Sequence, residues 1–119
     1  MGVEYELVNF TKKERISYAH LAGSKMRELA GNPAQAAITT WYLINNQGDN
    51  IQFVSDTYDD WPFPEGKRGD QFSFSDKTFE IVSELIERGV LEDEGFLYQD
   101  EEEPDKIFVK NIVNVWMEN

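Results

Sequence analysis

The sequence predicts one α+β domain over residues 1–119, with an antiparallel sheet of about four strands packed against two or three helices. Three observations support this fold class. An alternating segment near the start is typical of a strand, and two later segments carry helical periodicity with capping signals. The length and the hydrophobic content of 40% suit a single packed core. We find no internal repeat and no linker that would divide the chain.

The first predicted element is a strand over residues 3–10, where apolar and acidic side chains alternate. The apolar positions are Val3, Tyr5 and Leu7, and the acidic positions are Glu4 and Glu6. This pattern predicts an antiparallel strand with one buried and one solvent-exposed face. Residues 15–19 are predicted to return beside it as a hairpin. The competing interpretation is a helix that begins at a capping box formed by Thr11 and Glu14.

A short helix is predicted over residues 25–30, capped by Ser24 and ended by Gly31. The side chains expected to face inward are Met26, Leu29 and Ala30.

The central segment is open to two interpretations. As a helix, Asn32 is the N-cap, Pro33 occupies the first helical position and Gly48 is the stop. Its buried face would comprise Ala34, Ala37, Ile38, Trp41 and Ile44. As a strand, residues 38–44 would pair with residues 51–55. We favour the helix, and in both cases Ile51, Phe53 and Val54 predict a strand.

The clearest helix covers residues 77–88, with Ser75 or Asp76 as its cap and Gly89 as its stop. Its apolar stripe comprises Phe79, Val82, Leu85 and Ile86. Residues 96–98 predict a further strand. For residues 107–116, the spacing fits a helix and the Val and Ile content fits a strand, and the sequence does not decide between them. The run Asp100–Glu103 is typical of a solvated loop.

The stretch ELIERGVLEDEGFLYQDE, residues 84–101, resembles the end of a winged-helix domain. The resemblance covers about a sixth of the chain and implies a helix that closes on a Gly-Val-Leu segment, followed by a two-stranded wing. Readers of DNA need basic residues, and this stretch has one arginine among many acids. We therefore expect the geometry of a wing without contact to nucleic acid.

The net charge of −12 is concentrated in the second half of the chain. Residues 1–60 carry eight acidic and five basic side chains, whereas residues 61–119 carry 15 and six. Such a surface repels nucleic acid and steers basic proteins toward it. We expect a basic protein partner and no nucleic-acid partner.

Few residues are available for catalysis. The absence of cysteine excludes disulfides, thiolate catalysis and cysteine–zinc sites. The single histidine, His20, has no second histidine for a metal site, and no nucleophile elbow or phosphate-binding fingerprint occurs. We expect no enzyme activity and no cofactor. Without a secretory pattern or an apolar run of about 20 residues, we expect a cytoplasmic protein with no membrane partner.

The loop over residues 56–70 is the predicted binding site. Its partner-binding residues are Asp56, Tyr58, Asp59, Asp60, Trp61 and Glu65. Aromatic side chains ringed by charge are typical of interface hot spots. The alternative is that Trp61 and Phe63 fold back onto the core.

These features predict a small acidic protein-binding module, similar as a class to the immunity proteins and antitoxins that inhibit basic nuclease toxins. One alternative is a metal-dependent enzyme that uses Asp56, Asp59 and Asp60 as ligands. Another is a structural subunit that self-associates through Phe108, Ile112 and Trp116. Either a monomer or a homodimer is compatible with the sequence.

Overall fold

The computed structural model describes residues 3–57 and 60–116, and it confirms the predicted α+β class. The strands are β1 Tyr5–Asn9, β2 Glu14–Ile16, β3 Ile51–Ser55, β4 Ser75–Asp76, β5 Leu91–Gln99 and β6 Phe108–Asn114. The helices are α1 Met26–Gly31, α2 Pro33–Asn45 and α3 Thr78–Glu87, with a 3-10 helix at Arg68–Ser73. None of the helices among these residues is long and apolar enough to cross a membrane.

Four strands form the main sheet in the order β3-β1-β2-β4, with β3 at one edge. Strand β1 is antiparallel to both neighbours, and Leu7 lies opposite Ile16 on β2 and Phe53 on β3. The predicted hairpin between β1 and β2 is therefore confirmed, and the competing helix after Thr11 is wrong. The two-residue strand β4 pairs in parallel with β2, so the sheet is mixed.

The helices cover one face of this sheet and enclose the larger core. Its buried members include Leu7, Ile16, Leu29, Ile38, Tyr42, Val82 and Leu85. Helix α2 begins as predicted, because Asn32 Oδ1 accepts a hydrogen bond of 2.9 Å from the Ala34 amide and Pro33 follows the cap. The predicted inward position of Ile44 is wrong, since Ile44 is 57% exposed. Tyr42, two positions earlier and thus nearly opposite on a helix, takes the buried position.

The other face of the sheet is covered as well, which corrects the predicted solvent-exposed face of the first strand. Val8 is fully buried there, in a second cluster with Val54, Phe63 and Phe74. Residues 60–74, which connect β3 to β4, supply the two phenylalanines. The sheet is thus the middle of three layers, with helices on one side and this covering segment on the other.

Helix α1 differs from its prediction in orientation. It begins at Met26 with Lys25, not Ser24, as the N-cap residue. Leu29 is buried as expected, but Met26 is 67% exposed and Ala30 is also exposed. A helix of six residues has fewer than two turns, so only Leu29 faces the core and the side chains of Met26 and Ala30 remain exposed.

Helix α3 confirms the prediction for residues 77–88 within one residue at each end. Its N-cap residue is Lys77 and not Ser75 or Asp76, although the Asp76 side chain still accepts from Thr78 N. Of its predicted stripe, Val82 and Leu85 are buried, but Ile86 is 38% exposed. It is followed by an antiparallel hairpin of β5 and β6, which is the geometry that the resemblance to a winged-helix end implies. Residues 108–114, left open by the sequence, form a strand. The base of the hairpin is fixed to the body because Leu91 and Ile112 are buried in the larger core. A bond from Val115 N to Val90 O at 2.9 Å extends the pairing of the two strands at this base.

Candidate functional site

Asp60, one of the predicted site residues, holds the binding loop onto the sheet. Its carboxylate accepts hydrogen bonds from Ser55 N at 2.8 Å and from Ser55 Oγ at 2.6 Å. The bond from the Ser55 hydroxyl contributes most to lowering the pKa of Asp60 below its ordinary value, and the bond from the Ser55 amide follows. The charge of Arg68 lowers it further. Asp60 is therefore ionised, but much of its hydrogen-bonding capacity is used at the end of β3.

Trp61 packs against the second core cluster. Its ring lies edge-on at 5.0 Å from Phe63 and 6.1 Å from Phe10, and its Nε1 donates to the backbone carbonyl of Glu65 at 2.8 Å. Phe63 is 6% exposed, as the alternative interpretation of the loop expects, whereas Trp61 is half-buried. The predicted residues Tyr58 and Asp59 lie outside the described residues.

Asp56 and Glu65 present exposed side chains. Asp56 Oδ1 accepts a bond of 3.3 Å from the Glu4 amide, which places its carboxylate beside the start of β1. Asp60 points to Ser55 instead, so the described members of the predicted aspartate cluster have different partners. Within residues 3–57 and 60–116, no group of three or more His, Asp or Glu side chains is placed to hold a metal ion.

The hairpin of β5 and β6, residues 91–114, carries several exposed apolar side chains, and we call it the acidic hairpin. Its exposed apolar side chains are Phe96 at 49%, Leu97 at 58%, Tyr98 at 53% and Ile107 at 46%. Because Leu91 is the only buried residue of β5, the rest of this strand projects away from the core. Four exposed large apolar side chains on one hairpin are more typical of an interaction surface than isolated ones are.

Negative charge surrounds these apolar side chains. Glu92 and Glu94 on β5 and Glu101, Glu102, Glu103 and Asp105 in the turn are exposed. None of these six carboxylates has an ion-pair partner within the described part of the chain. Asp93, on the same hairpin, differs from them because its Oδ2 lies 2.7 Å from Lys110 Nζ. The pKa of Asp93 is lowered by that lysine and by the Gly95 amide.

Asp100 fixes the shape of the turn. Its Oδ2 accepts from the amides of Glu103 at 2.9 Å and Glu102 at 3.0 Å, and its Oδ1 accepts from Tyr98 Oη at 3.2 Å. The Glu103 and Glu102 amides lower the pKa of Asp100, and the bond to Asp100 raises the pKa of Tyr98. The neighbouring glutamates are thereby held outward on an ordered turn, and the solvated loop that the sequence suggests is a structured one.

His20 joins the acidic hairpin to the body. Its ring stacks on Phe108 with centroids 3.9 Å apart, its Nδ1 lies 3.0 Å from Phe108 O, and its backbone carbonyl accepts from Lys110 N at 2.8 Å. One edge of β6 is thus occupied by His20 and the other by β5, so β5 forms the outer strand. The contacts give the single histidine a structural role.

The predicted self-association residues are divided by the structure. Ile112 is 7% exposed and belongs to the core, and Phe108 is half-buried under His20. Trp116 is 62% exposed. The three side chains therefore do not form one shared exposed surface.

No protein-family description, no curated protein and no solved structure matches this chain. Sequence reasoning missed the acidic hairpin as a site, although two of its signals were present. Three consecutive large apolar residues, Phe96–Tyr98, precede a run of four acids within a few positions. Since a regular strand buries at most alternate residues on one face, consecutive apolar residues on a two-stranded hairpin must leave some of them exposed.

Proposed function

We propose that this chain is a non-enzymatic protein-binding module whose partner is a basic protein, of the kind that immunity proteins and antitoxins bind. The observation that carries the proposal is the acidic hairpin, where exposed apolar side chains are surrounded by unpaired carboxylates.

Charge supplies the selectivity in this proposal. Interacting charges on complementary surfaces raise the rate of encounter and penalise partners of the wrong sign. The carboxylates of Glu101, Glu102 and Glu103 occupy one ordered turn, so they act on an approaching protein from nearly the same place. A basic nuclease surface, which is built to hold phosphates, offers the complementary charge.

Apolar contact supplies the affinity. Leu97 and Tyr98 expose more than half of their surface, so burial against a partner removes much apolar area from water. Aromatic side chains dominate binding energy when they are buried at the centre of an interface, with charged groups at its rim. The hairpin has this arrangement, because its rings lie between the acids of β5 and those of the turn.

The predicted loop residues are proposed as a second contact region. Asp56 and Glu65 have exposed side chains and are available to a partner. Tyr58 and Asp59, which lie outside the described residues, are included in this region on their sequence alone. Asp60 and Trp61 already have partners inside the protein, so their contribution to binding is expected to be smaller.

The test requires a basic nuclease domain encoded in a neighbouring reading frame, as the proposal predicts, and measures its affinity for this chain by calorimetry at several salt concentrations. One variant, called the ring variant after Tyr98, replaces Leu97 and Tyr98 by alanine. A second, the charge variant, replaces Glu101, Glu102 and Glu103 by glutamine. We expect the ring variant to weaken binding at least tenfold, mostly by faster dissociation. The charge variant is expected to slow association and to flatten the salt dependence.

Two controls match these changes elsewhere on the surface: Met26→Ala removes an exposed apolar side chain and Glu87→Gln removes an exposed charge. Both should leave affinity unchanged. The proposal is wrong if the hairpin variants bind the nuclease as tightly as the unmodified protein does. A loop variant, Asp56→Lys with Glu65→Lys, measures the second contact region separately.

A further inference from the structure

The outer edge of β3 exposes part of its backbone. The bond of 2.9 Å from Phe10 N to Asn50 O shows that the even-numbered residues of this segment direct their backbone groups toward β1. Because these groups alternate in direction along an antiparallel strand, the N–H and C=O of Ile51, Phe53 and Ser55 point away from the sheet.

The outward groups of Ser55 are already used within the protein. Ser55 N donates to Asp60 Oδ2 at 2.8 Å, and Ser55 O accepts from Arg68 Nη2 at 3.2 Å. The outward groups of Ile51 and Phe53 have no such partner within the described part of the chain. Two donors and two acceptors are therefore free on one short stretch of an edge strand, and such a row is a template for a further strand.

An apolar groove of about 390 Å³ adjoins this free edge. Tyr5 and Phe53 form its sheet side, Met26 and Leu29 of α1 form a second side, and Thr40 belongs to the side formed by α2. None of the described residues that line the groove is charged, and none belongs to the acidic hairpin. Met26 is 67% exposed and Phe53 is 41% exposed, so the groove is open to an incoming side chain.

The free edge and the groove fit the same kind of ligand. Phe53 lies opposite the core residue Leu7, so its side chain is on the helical face of the sheet, where it lines the groove. Directly opposite residues of two paired strands project to the same face, with Cβ atoms about 4.5–5.5 Å apart. A residue paired with Phe53 on an added strand would therefore project into the groove. In strand addition, main-chain bonds supply affinity and such side-chain pockets supply specificity.

We propose that β3 and this groove bind an extended segment of another protein as an added antiparallel strand. The segment carries a large apolar residue opposite Phe53 and basic residues beyond it. Charge determines this choice of occupant, because a second copy of the chain has the same net charge of −12 and is repelled. Asp56, directly after β3, has an exposed side chain without an ion-pair partner in the described part of the chain, and it complements a basic residue there.

The experiment titrates the isotope-labelled full-length protein with three blocked peptides, followed by NMR chemical shifts. Their sequence is acetyl-Lys-Thr-Val-X-Val-Thr-Lys-amide, where the central residue X is Leu, Phe or Trp. We expect saturable binding of at least one peptide in the millimolar range, with large shifts at the amides of Ile51 and Phe53. Replacing X by Asp tests the groove, and N-methylation of X removes the N–H that Phe53 O accepts. Each change should weaken binding at least fivefold.

Variants of the protein locate the site. Met26→Glu and Thr40→Glu each place a charge in the groove at an exposed position, and both should weaken peptide binding at least fivefold. The matched control is Ile44→Glu, the same change of charge at an α2 residue that is 57% exposed and does not line the groove. Circular dichroism checks that each variant folds. The proposal is overturned if none of the three peptides saturates, if the N-methylated peptide binds equally well, or if the groove variants bind like the control.

Sedimentation of the protein alone at neutral pH tests the other occupant. We expect a monomer. A dimer that Met26→Glu dissociates would show that a second copy covers the edge, and it would overturn the proposal. The ring variant of the acidic hairpin should bind the peptides as the unmodified protein does, so the outcome here is independent of the nuclease titration that tests the proposed function.

Discussion

Replacing Asp76 by alanine is expected to lower the stability of the domain by loosening the junction between the sheet and α3. Asp76 Oδ1 accepts from Thr78 N at 3.1 Å and from Thr78 Oγ1 at 2.6 Å, and Oδ2 accepts from Ser17 Oγ at 2.5 Å. Thr78 Oγ1 in turn accepts from Ser17 N at 3.0 Å. One carboxylate thus joins the segment after β2 to the first turn of α3.

The magnitude follows from these bonds. Asp76 stands one residue before the N-cap residue Lys77, and its bond from Thr78 N resembles that of a side-chain cap, the loss of which costs about 1 kcal/mol. A hydrogen bond to a charged group is worth about 1.5–3 kcal/mol when it is shielded from water, and the exposed position of Asp76 reduces that contribution. We expect a total loss of about 2 kcal/mol. For a chain of 119 residues, this corresponds to a decrease in Tm of about 8 °C.

The loss should depend on pH. Although Asp76 as a whole residue is exposed, its carboxylate is partly desolvated against the start of α3. This desolvation opposes ionisation of Asp76, but the bonds from Ser17 and Thr78 outweigh it, so its pKa in the folded state is lowered. A lowered folded-state pKa contributes stability above the ordinary aspartate pKa of about 3.9, and this contribution disappears as the pH falls through the folded-state value. The difference between the two proteins should therefore be largest near neutral pH and shrink in acid.

Urea denaturation at pH 7 and at pH 3 measures this difference in stability. The control is Asp105→Ala, which removes an exposed aspartate whose side chain has no hydrogen bond in the described part of the chain. The reasoning is refuted if Asp76→Ala costs less than about 0.5 kcal/mol at pH 7. It is also refuted if the cost is the same at both pH values.

Two further predictions concern the covering segment, residues 60–74. Gly66→Ala should lower the free energy of unfolding, measured by urea denaturation, by about 1–2 kcal/mol more than Gly48→Ala does. Both glycines have positive φ, but only at Gly66 would a Cβ meet Asp70 Oδ2 at 3.0 Å and Phe10 at 3.2 Å. Equal costs would contradict the assigned packing. Phe63→Ala should lower the free energy of unfolding by about 3–4 kcal/mol. It should also increase the binding of a hydrophobic dye, because it uncovers Val8 and Val54. A decrease in stability below about 1 kcal/mol would show that the segment is not part of the core.

The elements that the sequence predicts well are those defined by local signals. Asn32 and Pro33 determine the start of α2, and the buried part of the α3 stripe, Val82 and Leu85, lies within its own ten residues. The hairpin of β1 and β2 follows from alternation over neighbouring residues. In each case the decisive contacts are close in sequence, so pattern and structure agree.

The features that the sequence does not reveal depend on distant contacts. The burial of Val8 is caused by Phe63 and Phe74, which arrive on a segment without strand periodicity. The groove beside β3 brings together Met26, Thr40 and Phe53, and no spacing rule relates them. The exposure of the three consecutive residues Phe96–Tyr98 follows from a hairpin that projects beyond Leu91 with both of its faces exposed, which only the tertiary arrangement establishes.

The position of β3 has a consequence for the behaviour of the protein in solution. Its sequence, Ile51–Ser55, contains no charged residue and no proline, which are the usual protections of a strand at the margin of a sheet. Copies of the chain are instead kept apart by their mutual repulsion, since each carries a net charge of −12. Near the isoelectric point of about 4.3 that repulsion vanishes, and strand-to-strand aggregation is then expected to start at β3.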